Sequence, residues 1–302
     1  MDQPPCGSRL RAALGLITLR SPFWNRSGKH RFGRLLLCLS LAYVTVLVVL
    51  LFLEDWLLFA STDGSDWSHP PKNGCVVEDV WFTSADGTRL HAWWLTEPGW
   101  EPGHGALLHC HGNGGNLSYR GGSVDFWLKR QRLAVLLFDY PGYGKSGGKS
   151  SEAGCYAAAD AAYAWLTEEQ RVPAGRIILY GGSLGGAVAV DLAARRPHRA
   201  LVLVSTFTTL PDIAQAQYPF LPARWLVRNR FNSLAKIRQV DRPVFVTHSD
   251  ADGLIPCAMG QRLFEAANEP KKFFIMQGEP HHDAGSTEAF AAFAEFVRKH
   301  AP

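Results

Sequence analysis

A serine flanked by glycines, in Gly181-Gly-Ser-Leu-Gly-Gly186, is the stretch of this sequence best suited to chemistry. An apolar run (176–180) precedes it and an Ala/Val/Leu-rich helical pattern (187–195) follows, so the spacing predicts strand, sharp turn and helix with Ser183 at the apex. Such a turn strains the serine backbone and presses helix against strand, which leaves no room for side chains at positions 181 and 185. It also exposes the Ser183 hydroxyl and sets the N–H of Leu184 at a helix N-terminus, where an oxyanion is stabilised. A serine hydroxyl is a weak nucleophile at neutral pH and needs a base, itself oriented by a carboxylate. Two loops offer them. His248-Ser-Asp-Ala-Asp-Gly-Leu-Ile-Pro256 carries Asp250 and Asp252, and Gly278-Glu-Pro-His-His-Asp283 carries His281, His282 and Asp283. A second oxyanion donor is expected from the main-chain N–H of Asn113, in the glycine-rich His111-Gly-Asn-Gly-Gly-Asn116. Taken singly, each residue has a plain role: Asp250 and Asp252 as turn residues, Asp283 as a helix cap, the histidines as solvated loop residues. Their joint occurrence in the order Ser, Asp, His points to nucleophilic catalysis.

These residues need a scaffold that gathers distant loops. Alternating runs at 76–81 and 90–95, joined by Ala85-Asp-Gly87, read as a β-hairpin. Short apolar strands follow at 106–110, 134–138, 176–180, 200–204, 243–247 and 272–276. Helical patterns lie between them: to about 132, then at 152–169, 187–195, 259–267 and 286–299. Apolar strands alternating with helices imply an α/β fold, a mostly parallel eight-stranded sheet with helices on both faces. In such sheets the active residues sit in loops after the C-terminal ends of strands. Residues 206–240 break the rhythm with three prolines and the aromatics Phe207, Tyr218, Phe220, Trp225 and Phe231, and read as a short cap. Gly142-Tyr-Gly144 with Ser146 reads as a structural turn beside the glycine-rich loop.

The N-terminus is different. Residues 35–53 run for 19 positions without a charge, enough helix to cover about 28 Å, close to the thickness of a bilayer core. Seven Lys/Arg and one acid precede the run, and Glu54 and Asp55 follow it. The positive-inside rule therefore predicts a cytoplasmic N-terminus and a domain on the opposite side, whether periplasmic, lumenal or extracellular. Leu58-Phe-Ala60 is a poor signal-peptidase site, which favours an uncleaved anchor over a cleaved signal. The expected organisation is a basic tail (1–34), a transmembrane anchor (35–59), a linker (60–75) and a catalytic domain (76–302). The net charge of +4 belongs to the tail and does not indicate nucleic-acid binding. Six scattered cysteines, with no Cys-x-x-Cys pair, give no zinc motif, and Cys110 and Cys155 read as buried apolar residues.

The motifs His111–Asn116, Asp139-Tyr-Pro-Gly-Tyr-Gly-Lys-Ser146, Gly181–Gly186, the His248 to Pro256 loop and the His281 loop together resemble the alpha/beta-hydrolase superfamily. The similarity is greatest to its single-pass, membrane-anchored serine hydrolases, the group that includes protein depalmitoylases. The resemblance covers about 76–298. It implies Asp252 as the triad acid, four residues before Pro256, with His281 as the base and Ser183 as the nucleophile. Two positions depart from the family pattern, Ser249 and Pro280, where the family usually has glycine. The activity implied is hydrolysis of a carboxylic ester or thioester through an acyl-enzyme, with no cofactor. The partners implied are the membrane and an acyl group on a small molecule, lipid or protein. Alternatives are a serine peptidase or acyltransferase on the same fold, a metal hydrolase using His109, His111, His281, His282 and Asp283, and an inactive interaction module.

Overall fold

Alternating and wholly apolar runs become eight strands in the computed structural model, which describes residues 22–59, 74–282 and 285–301, without the side chains of 22–29 and 121–123. Residues 1–21 of the basic tail, the linker residues 60–73 and Asp283 lie outside the described residues. The strands are β1 (Val76–Thr83), β2 (Arg89–Thr96), β3 (Ala106–Cys110), β4 (Ala134–Phe138), β5 (Ile177–Gly182), β6 (Ala200–Val204), β7 (Val244–Ser249) and β8 (Lys271–Met276). They form one sheet in the order β1-β2-β4-β3-β5-β6-β7-β8. β1 and β2 make the expected hairpin, β2 runs antiparallel to β4, and every other pair is parallel.

Strands β3 to β6 are buried at every residue, as a parallel sheet covered on both faces requires. Alternate residues serve opposite faces. Leu108, Leu136, Leu179 and Leu203 pack with helices α2 (Glu152–Ala164), α3 (Leu184–Ala193) and α7 (Cys257–Ala266). Leu107, Val135, Ile178 and Phe245 pack on the other face with Trp127 and with Phe290, Phe293 and Phe296 of α8 (Thr287–His300). Cys110 and Cys155 are buried within the first of these layers, and desolvation pushes both thiols up beyond their ordinary range.

The register sets the working edge of the sheet. Cys110 pairs with Gly181, Gly182 with Val204, Val204 with Thr247 and Ser249 with Met276. The loops leaving β3, β5, β7 and β8 therefore emerge side by side. The expected helical stretch between β3 and β4 is present, in mixed geometry. The chain there forms a 3-10 stretch, Leu117–Ser123, and a π turn, Phe126–Arg130. The 206–240 segment holds α4 (Leu210–Gln217), α5 (Ala223–Leu226) and α6 (Ser233–Lys236).

A long helix, α1 (Pro22–Leu58), precedes the sheet, and its stretch His30–Leu58 is long and apolar enough to cross a membrane. The chain divides into two compact units, with the boundary in the sequence between Leu50 and Leu51. Within the second unit, the last turns of α1 belong to the folded domain. Glu54 accepts hydrogen bonds from the backbone N–H groups of Arg228 and Asn229 and from both their side chains, and Phe59 packs edge-on against Phe231.

Candidate active site

The elbow forms as its glycines dictate. β5 ends at Gly182, α3 begins at Leu184, and Ser183 between them has φ 51° and ψ −121°. That is a left-handed conformation which a residue with a Cβ adopts only under constraint. The constraint is visible in the surrounding bonds. The Ser183 N–H donates to the Val204 carbonyl, and the Ser183 carbonyl accepts from Gly186 N–H and from the Thr206 hydroxyl. A Cβ at position 185 would overlap the carbonyl oxygens of Cys110 and His111, so glycine there lets α3 start directly against the end of β3.

The expected acid and base stand in line with this serine. His281 Nε2 lies 3.2 Å from the Ser183 Oγ, and His281 Nδ1 lies 2.7 Å from Asp252 Oδ2. With Nδ1–H donating to the carboxylate, Nε2 is free to accept the serine proton. Asp252 Oδ1 accepts from the backbone N–H groups of Leu254 and Ile255. Burial alone would push the Asp252 carboxyl up. Hydrogen bonds from His248, His281 and the Ile255 N–H outweigh it and hold the group well below the usual carboxylate range.

The neighbouring alternatives are occupied otherwise. Asp250 Oδ1 accepts from the Gly278 N–H at 2.7 Å and so braces the start of the histidine loop. His282 pairs with Glu279 at 2.5 Å. The cap of α8 is Ser286, whose side chain accepts from Ala289 N–H, rather than Asp283. The histidines weighed for a metal have separate surroundings: His109 packs edge-on against Tyr180, and His111 packs on Tyr140.

Leu184 opens α3, as the elbow requires. Asn113 lies in the loop after β3, and its side-chain Oδ1 accepts a hydrogen bond from Tyr143 at 2.8 Å. Tyr140 donates to the His111 carbonyl, also at 2.8 Å. The Gly142-Tyr-Gly144 turn is thus structural, as expected, and what it supports is the glycine-rich loop.

Two contributors escaped the sequence reading. His248 is wholly buried, with Nε2 3.3 Å from Asp252 Oδ2 and 2.9 Å from the Ile255 carbonyl, so it is a second imidazole on the same carboxylate. The signal available was its place four residues before Asp252. Asp139, at the end of β4, is also wholly buried. Its Oδ1 accepts from Leu117 N–H at 2.8 Å and lies 3.5 Å from His111 Nε2, and His91 Nδ1 stands 3.8 Å from Oδ2. Burial would raise the Asp139 pKa, but hydrogen bonds from His111, His91 and Leu117 outweigh it and hold the group below its ordinary value. A depressed native pKa means stability that is present above the unfolded pKa, about 3.9, and lost as the pH falls through the native value. Asp139→Asn is therefore expected to lower stability at pH 7 by about 3 kcal/mol, as removal of a buried paired charge does. The gap to the parent should narrow below about pH 4, by roughly 1.4 kcal/mol per pH unit. Thermal melts of the two proteins from pH 7 to pH 3 measure this, and a constant gap would show that the fold does not hold the Asp139 carboxyl below its unfolded pKa.

A family profile described as the alpha/beta hydrolase fold matches residues 105–241, which include Asn113, Ser183 and Leu184 and stop short of Asp252 and His281. An uncharacterized protein of Mycobacterium tuberculosis is 42% identical over 206 residues, covering 68% of this chain and 72% of the relative. The alpha/beta hydrolase domain-containing protein WAV2 of Arabidopsis thaliana is 29% identical over 255 residues, 77% of this chain and 82% of its own. Among solved structures, the Pyrococcus furiosus esterase Pf2001 superposes with a TM-score of 0.66 at 21% identity, over 80% of this chain and 97% of that one. The elbow, the sheet order and the extent of these matches agree: the chain belongs to the alpha/beta hydrolase superfamily.

Proposed function

We propose that this protein is a membrane-anchored serine hydrolase that cleaves a carboxylic ester or thioester through an acyl-enzyme. One observation carries the proposal: Ser183, His281 and Asp252, brought from three loops, stand within hydrogen-bond reach in a line. In the reaction, His281 Nε2 takes the Ser183 proton as Oγ attacks the acyl carbonyl, and the Asp252 carboxylate holds the imidazolium that forms. The N–H groups of Asn113 and Leu184 bind the tetrahedral oxyanion. His281 then protonates the leaving alcohol or thiol, which departs and leaves the acyl group on Ser183. A water, deprotonated by His281, attacks that ester and releases the acid. No step calls for a cofactor.

The esterases among the structural neighbours support the ester reading, as does the resemblance to anchored serine hydrolases, which extends it to thioesters on proteins. A fluorophosphonate probe tests the reading directly. It should label the protein at Ser183, and a chain that takes up no probe would be an inactive fold.

Anchoring makes a separate prediction. Residues 35–59 should hold the protein in the bilayer, with the tail 1–34 on the cytoplasmic side and the domain 76–302 across from it. Detergent, and not high salt, should release the full-length chain from membranes. Protease on the cytoplasmic face should trim the tail and spare the domain. Digestion of the domain from that face would invert the topology, and a mature N-terminus near Ser61 would make the segment a cleaved signal.

A further inference from the structure

The cap is apolar in an unusual direction. Its buried aromatics, Phe207 and Phe231, hold it to the core, whereas Tyr218 is 53% exposed, Phe220 71% and Trp225 88%. The rings of Tyr218 and Phe220 meet edge to face at 6.3 Å, and Trp225 follows five residues later in the same segment. The exposed cations Arg224 and Arg230 belong to the same segment, and Arg230 is tied to it by a bond from its guanidinium to the Arg224 carbonyl. Aromatic rings with arginines beside them are the composition that settles at a membrane–water interface.

What lies next to the patch indicates its partner. Three residues beyond Trp225, the chain enters a clasp made by the last turns of α1. Glu54 takes the Arg228 N–H and Nε at 2.9 Å each, the Asn229 N–H at 2.8 Å and the Asn229 amide at 2.9 Å. Asp55 accepts from the same Asn229 amide at 2.8 Å. From the other side, Glu152 takes the N–H groups of Arg230 and Phe231. Phe52 and Trp56, which flank Glu54 on α1, are 83% and 76% exposed. The foot of the apolar span and the exposed rim of the cap are thus joined through two carboxylates and a few residues of chain. At the last residue of α4, the exposed Gln217 amide donates to the carbonyls of Gly253 and Leu254, in the loop that carries Asp252.

We propose that Tyr218, Phe220 and Trp225 form a docking surface for the lipid bilayer, held at the interface by the Glu54 clasp, so that the cap beside the Asp252 loop rests on the membrane. Docking rests on the reading of His30–Leu58 as an anchor and is independent of whether the site hydrolyses anything. The bilayer is favoured over a protein partner because the clasp residues Glu54 and Asp55 belong in sequence to the apolar stretch His30–Leu58, whose surface requires lipid.

The test uses the full-length chain in phosphatidylcholine/phosphatidylglycerol nanodiscs, its exposed native cysteines replaced by serine. Single cysteines carry an environment-sensitive fluorophore at Phe220→Cys, Trp225→Cys, Leu39→Cys and Glu78→Cys, the last on the edge strand β1. Bromolipid is expected to quench the labels at 39, 220 and 225, and aqueous iodide the label at 78. Bromolipid quenching at 39 with only iodide quenching at 220 and 225 would overturn the docking and leave the anchor standing. Iodide quenching at all four positions would overturn the anchor and the docking with it. In the Glu54→Gln protein the labels at 220 and 225 should lose part of their bromolipid quenching, because two backbone N–H groups and a guanidinium lose a charged acceptor. Unchanged quenching there would overturn the role given to the clasp.

Discussion

Ser183→Ala is expected to abolish hydrolysis while the protein folds as before. In the proposed mechanism the Ser183 Oγ forms the covalent bond, and losing such a nucleophile typically costs on the order of 10⁶ in kcat. The change should leave stability nearly untouched. Ser183 is buried, and its hydroxyl lies within hydrogen-bond reach of His281. The bonds that hold the strained turn, from Val204, Gly186 and Thr206, are to the main chain at residue 183, and alanine keeps them. Alanine and serine also meet a φ of 51° at the same steric disadvantage, so the strain does not change. Hydrolysis of a chromogenic ester, fluorophosphonate labelling and a thermal melt on the same preparation decide the matter. A variant with a normal melt that retains activity within tenfold of the parent would show that Ser183 is not the nucleophile.

The second large effect separates two aspartates two residues apart. Asp252→Asn should lower kcat/KM by roughly 10⁴, the loss measured when the triad carboxylate becomes an amide elsewhere. Four donors converge on this carboxylate: the N–H groups of Leu254 and Ile255 on one oxygen, and the imidazoles of His281 and His248 on the other. An amide offers one oxygen and one NH₂, so whichever way it turns, its NH₂ faces two donors. The His281 ring then loses the partner that fixes its tautomer and stabilises its protonated form. Asp250→Asn retains the acceptor that Gly278 N–H uses, and its effect should be within a few fold. The same contrast applies to the histidines: His281→Ala should remove activity, and His282→Ala should cost far less, since His282 serves Glu279. Comparable losses at 250 and 252, or at 281 and 282, would overturn the assignment.

Some of the molecule was legible because its cause is local. The elbow is written in six consecutive residues, since glycine at 181 and 185 is a steric need of a turn that presses helix on strand. The strands were legible because a sheet buried on both faces demands unbroken apolar runs, and those at 106–110, 134–138 and 200–204 have the bounds their patterns suggested. The apolar span of α1 was legible for the same reason, as length and composition are one-dimensional properties.

Contacts set by sheet register were not. Ser183 and His281 are 98 residues apart and meet because β5, β6, β7 and β8 align their ends, so the pattern around either residue alone could not choose between His281 and His282. Motif order and family resemblance pointed to His281, and the distances come from the fold. His248 reads as a loop-edge histidine until the turn at 252–255 folds the Asp252 carboxylate back against it. The helical pattern before Arg132 is present in the fold, and only its mixed 3-10 and π geometry was not legible. Glu54 shows the difference most plainly. In the sequence it is an acid flanking an apolar run, useful only for orientation. In the fold it is the hydrogen-bond acceptor for a segment 174 residues away. Composition supplied the charge, and only tertiary structure could supply its partners, because burial and proximity are properties of the folded chain.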